Sequence, residues 1–107
     1  MNSKLIEYLN KTRNGKKDNI RAILFSEDTF TYYYLFDINT ENKKCVMMCE
    51  PINASRPYCE LYSVYLEEIQ YYIGPYQIVD GQSLGKPYKQ VLKRLQKIEE
   101  RLLTMSY

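Results

Sequence analysis

Three cysteines, thirteen carboxylates, fifteen lysines and arginines and twelve tyrosines are the side chains of this 107-residue chain that can carry chemistry, and there is no histidine. Without an imidazole, Ser-His-Asp and Cys-His arrangements lose the group that takes and returns a proton near neutral pH. The glycines make no phosphate cradle. Gly15, Gly74, Gly81 and Gly85 fit neither common fingerprint, and Lys86 is followed by Pro87 where a P-loop needs Ser or Thr. A zinc site would need its thiolates about 4 Å apart. Cys45 and Cys49 fall in a segment that reads as a strand, where positions four apart are separated by ~13 Å. Together with Cys59 they are expected to be reduced, buried thiols. The expectation is therefore a protein with no metal, no cofactor and no catalytic residues.

What remains is recognition through the surface. Lys86, Lys89, Lys93, Lys97 and Arg101 recur at three- and four-residue spacing. Four successive like-charge pairs at such spacing cost a helix about 1–2 kcal/mol. An anionic partner, nucleic acid or an acidic protein surface, would relieve that cost. A solvated lysine face is the plainer alternative. Net charge is only +2, yet it is segregated, at +4 over residues 1–21, −6 over 22–80 and +4 over 81–107. Lys11, Arg13, Lys16 and Lys17 are expected to support the C-terminal cations.

Tyrosine is the compositional oddity, with 12 rings and no tryptophan. A buried hydroxyl needs a hydrogen-bond partner, and a core this small cannot satisfy twelve. Tyr33, Tyr58, Tyr62, Tyr65, Tyr72 and Tyr76 are accordingly candidate contact rings. Lys, Asn and Ile are plentiful too, as AT-rich coding would produce, so part of the excess is compositional. Tyr72 and Tyr76 share the Tyr-x3-Tyr spacing of rolling-circle nicking enzymes, but the metal-holding histidine pair of those enzymes has no counterpart here.

The elements that must position these residues read as one α+β domain over 1–107, in the order α-β-β-β-α-(β)-α. A first helix covers Ser3 to about Arg13, with Leu5, Tyr8, Leu9 and Thr12 on one side. A three-stranded antiparallel meander follows, over Ile20–Ser26, Thr29–Asn39 and Lys43–Glu50, with a short fourth strand open as an addition. A turn at Thr40-Glu41 sets Phe36 opposite Cys45, Tyr34 opposite Met47 and Asp37 opposite Lys44. Both faces are then apolar and need cover, Tyr33, Leu35, Val46 and Met48 on the second. Tyr58, Tyr62, Tyr65, Ile69 and Tyr72 fit one face of a helix over Tyr58–Ile73, stopped by Gly74-Pro75. A competing pattern makes Pro57–Tyr62 a strand and lets Ser63 cap a shorter helix. Tyr76–Val79 has the makings of a short strand. The last helix is marked by Tyr88, Val91, Leu95, Ile98, Leu102 and Met105, with Pro87 suited to its first turn.

In kind, though by no motif, the chain resembles small proteins of phages and mobile elements that inhibit a host complex, anti-CRISPR proteins among them. That resemblance implies a protein-binding inhibitor or adaptor acting by occupancy on a host or defence complex. The alternative is a nucleic-acid-binding module built on the C-terminal helix. A homodimer through the second sheet face is a third possibility. The longest apolar runs, Tyr32–Phe36 and Cys45–Cys49, are about five residues, far below a membrane span. No membrane association and a cytoplasmic location in a host cell are expected.

Overall fold

A computed structural model describes residues 3–12, 16–39, 41–52 and 61–105, with side chains throughout except at 3, 99 and 102–105. Alternating apolar residues between 22 and 51 build the meander: β1 (Ala22–Ser26), β2 (Thr31–Asn39) and β3 (Lys44–Pro51), paired antiparallel. Two further strands extend it, β4 (Leu61–Tyr65) beside β3 and β5 (Tyr76–Val79) beside β1. The sheet is five-stranded and antiparallel, in the order β4-β3-β2-β1-β5, rather than the three or four strands expected. Helix α1 spans Ser3–Lys11. A 3-10 turn at Leu66–Glu68 leads into α2 (Ile69–Ile73), and α3 spans Tyr88–Met105. No helix among the described residues is long and apolar enough to cross a membrane.

The helix expected over Tyr58–Ile73 is replaced by strand, 3-10 turn and a short helix. Leu61-Tyr62-Ser63-Val64-Tyr65 suits a pleated, half-buried position as well as a helix. Pairing with β3 sets Val64 opposite Cys45 and Tyr62 opposite Met47, and buries Val64. Tertiary pairing overrides the 3.6-residue pattern, and only Leu66, Ile69 and Ile73 turn inward in the helical part. That outcome is nearer the competing strand-first pattern, with a later boundary. Tyr58 lies outside the described residues.

The register of β3 also differs from expectation by one residue. Phe36 lies opposite Val46, Leu35 opposite Met47 and Tyr34 opposite Met48. The cause is a bulge between Phe36 and Asn39, where Asp37 takes φ +50°. Its N–H donates to the Lys17 carbonyl at 2.9 Å, and its carboxylate lies 3.8 Å from the Lys17 ammonium. Lys44 pairs with Asn39 across the turn and not with Asp37. A one-residue slip exchanges the two faces of a strand. Cys45 and Met47 join Tyr33 and Leu35, while Met48 and the half-buried Val46 join Tyr34 and Phe36.

Each face has its own cover. On one side Leu5 and Leu9 of α1, with Leu66, Ile69 and Ile73, pack over Leu24, Leu35, Met47 and Val64. On the other, Val91 and Leu95 of α3 pack over Ile23, Tyr34, Phe36 and Met48, and Tyr88 stacks on Phe36 at 4.3 Å between ring centres. The second face expected to serve as a contact or two-fold surface is therefore interior: Tyr33, Leu35 and Met48 are all buried. Gly74 ends α2 at φ +74°, where a Cβ would come within 2.7 Å of Asp28 Oδ2.

Candidate functional site

Because α3 lies on the sheet with Val91 and Leu95 inward, Gln90, Lys93, Arg94, Lys97 and Arg101 fall along one flank of it. That flank overlooks one end of the sheet. There Phe25, paired with Gln77 and Tyr32, and Tyr32, paired with Glu50, form a cross-strand row on the α3 side. A cleft of about 500 Å³ opens between flank and sheet, with Ile23, Tyr32, Tyr34 and Glu50 on the sheet wall and Lys86, Gln90 and Arg94 opposite. The Asp80–Ser83 connection closes one end. A second hollow of about 310 Å³ continues along α3 between Gln90, Lys93, Arg94, Lys97, Ile98 and Arg101. Gln90 and Arg94 line both, so the two form one groove.

Three groups fix the groove where the hollows meet. The Tyr34 hydroxyl donates to Glu50 Oε1, and Arg94 Nη2 donates to both Glu50 Oε1 and Tyr34 Oη at 3.1 Å. Burial, reinforced by the bond to Glu50 and its charge, holds the Tyr34 phenol well above the usual tyrosine range, and Arg94 only partly opposes this. Burial disfavours the charge of Arg94, but Glu50 and Tyr34 outweigh it and raise its pKa. At neutral pH Tyr34 keeps its proton and Arg94 its charge, and both hydrogen-bond to Glu50. The arrangement ties α3 to β2 and β3 and neutralises Glu50 within the groove.

The five cations singled out from sequence are all exposed, and their side chains make no hydrogen bond or ion pair with the described residues. Lys86, Lys93, Lys97 and Arg101 line the groove, whereas Lys89 lines neither hollow. The described N-terminal cations Lys11, Lys16 and Lys17 line neither hollow. Lys11 is on α1, across the sheet, Lys17 faces Asp37, and Arg13 lies outside the described residues.

The tyrosines do not gather around these cations. Tyr33 is 6% exposed, with its hydroxyl 2.9 Å from Thr29 Oγ1, so it is a core ring and not a contact ring. Tyr62 and Tyr76 are half-buried against the α1 side of the core, and burial raises the pKa of Tyr76. Tyr65 is exposed at the β4 edge, with the Lys44 ammonium 4.7 Å from its ring centre. Tyr72 is exposed on α2 and meets Tyr71 edge to face at 5.4 Å, across the sheet from α3. Its phenol pKa is raised chiefly by the charge of Glu68.

The rings that line the groove, Tyr32 and Tyr34, are not among the candidate contact rings, and Phe25 and Phe30 adjoin Tyr32 without lining either hollow. Phe25 packs on Tyr32 at 5.0 Å and on Phe30 at 5.8 Å. Arg94 was hidden as well, since it lies off the four-residue run of Lys93, Lys97 and Arg101. Glu50 and Tyr32 meet only in the observed register. Cys45 is buried, and its thiol is pushed up to about 12 by burial and then by the charge of Asp37, which makes it inert at neutral pH. No cluster of three or more metal-ligating side chains occurs among the described residues. Compared with known proteins, the chain matches no family model, no curated protein and no solved structure, so the groove is read from its own chemistry.

Proposed function

We propose that the chain is a non-enzymatic binding module that takes nucleic acid along the cationic flank of α3. The observation that carries this reading is the groove itself. Lys86, Lys93, Lys97 and Arg101 line it without a partner among the described residues, and aromatic rings stand on its sheet side. Glu50 and Asp80 are the carboxylates that line the groove, and Asp80, at its closed end, accepts only the Gly81 N–H among the described residues. Glu50 is held by Arg94, Asp37 faces Lys17, and Lys43 pairs with Glu67 at 3.0 Å. Binding of this kind weakens steeply with salt, because each neutralised phosphate releases counterions. Titrating the chain into labelled DNA at several salt concentrations tests it: affinity should fall log-linearly with salt. Binding that ignores salt would remove the proposal.

A second reading is favoured by a separate observation. Tyr71 is 86% exposed and Tyr72 59%, side by side on α2 and away from the groove. Exposed rings of that size suit a protein partner. This reading is an inhibitor or adaptor of the phage or mobile-element type, anti-CRISPR-like, occupying a host complex in the cytoplasm. A nuclease-treated pull-down from the native or infected host tests it. A partner retained by the native chain and lost with Tyr71→Ala/Tyr72→Ala supports it, and no retained partner argues against it.

A further inference from the structure

We infer that the groove holds a single strand in preference to a duplex, with bases placed on the ring of Phe30 and the backbone running along α3. The inference rests on the nucleic-acid reading above and names its ligand more narrowly. Phe30 carries it. The residue is 42% exposed and its backbone is held at φ +49°, a left-handed conformation that a bulky side chain rarely adopts. Its carbonyl is fixed by the Ile52 N–H at 3.1 Å, and its ring stands edge-on to Phe25 at the open end of the row through Tyr32. A hydrophobic ring is thus kept at the surface on a strained backbone, two ring contacts away from Tyr32, which lines the groove.

Ligand geometry separates the two forms of nucleic acid. In a duplex the π-faces of the bases are stacked on one another, and a ring on a sheet beside a helix flank cannot reach them. An unpaired strand can turn its bases onto such rings while its phosphates follow a row of cations. Lys93, Lys97 and Arg101 provide that row, recurring every ~6 Å along α3.

The test uses the full chain with a fluorescently labelled oligothymidine strand and a labelled hairpin duplex, read by anisotropy at fixed low salt. The strand should bind about tenfold more tightly than the duplex. Phe30→Ala should weaken strand binding between about fivefold and a hundredfold. It should leave duplex binding and the salt dependence unchanged, and Phe30→Tyr should keep the native strand affinity. A thermal melt of each variant establishes that the fold is retained. Equal affinity for both probes, or strand binding indifferent to Phe30→Ala, overturns the single-strand inference while leaving the nucleic-acid reading in place. Binding to neither probe overturns both and leaves the protein partner.

Discussion

At the scale of single residues, Tyr34, Glu50 and Arg94 show how the groove and the stability of the fold are linked. Tyr34 is buried and its phenol is held above the ordinary tyrosine value, first by burial and then by Glu50. A raised folded-state pKa means that the native protein keeps a proton the unfolded chain gives up. The contribution of Tyr34 is fully present below the unfolded value of about 10 and is lost as pH rises from there through the folded value. Urea midpoints should therefore fall from pH 9 to pH 11 by more in the native chain than in Tyr34→Phe. At pH 7 that variant should cost about 1–2 kcal/mol, because its hydroxyl bonds to charged partners. Parallel pH profiles for the two proteins would argue against this role. Cys45 is the quieter case. With its thiol pushed up to about 12 and its side chain buried, it should react with a disulfide reagent only on unfolding.

Among the elements, β4 and the end of α2 are where sequence and structure part most informatively. The meander and the stripe of α3 were legible because apolar residues alternate or recur over enough positions to exclude other periods. Leu61–Tyr65 was not, since five residues with aromatics at every third or fourth place satisfy a helix and a strand alike. The bulge at Asp37 was equally hidden: it depends on a contact with Lys17, twenty residues earlier, and it shifts the partners of β3 from Val46 onward. If β4 is a strand, Val64 is core and Tyr65 is surface. Val64→Ala should then cost about 2 kcal/mol in chemical denaturation and Tyr65→Ala about 0.5 kcal/mol. The reverse ranking would favour a helix. Gly74 gives a second check at this scale. Gly74→Ala meets both the left-handed backbone and the Asp28 carboxylate, whereas Gly85→Ala meets only the backbone strain of φ +79°. The first should lower the melting temperature by more than the second.

For the whole molecule, the sheet acts as a partition. It sets α1 and the exposed Tyr71–Tyr72 pair on one side and α3 with its cations on the other. Of the two basic ends of the chain, α1 with Lys11 lies across the sheet from α3, whereas the segment over 16–20 meets the start of α3, the Ile20 N–H donating to the Lys86 carbonyl and the Tyr88 N–H to the Asp18 carbonyl. Of the five cations that the sequence marks, Lys86, Lys93, Lys97 and Arg101 line the groove and Lys89 does not. Alternation along β2 sets Tyr32 and Tyr34, the rings that line the groove, on one face, but the packing of Phe25 between Phe30 and Tyr32 depends on strand pairing and on a turn with an unusual backbone. The measurement that tests the central claim most directly is the slope of log affinity against log salt for the oligothymidine strand. It should be compared between the native chain and a Lys93→Gln/Lys97→Gln/Arg101→Gln variant. Removing three phosphate contacts should make the slope shallower by about two. An unchanged slope, or no binding by the native chain, would contradict a phosphate-tracking role for α3.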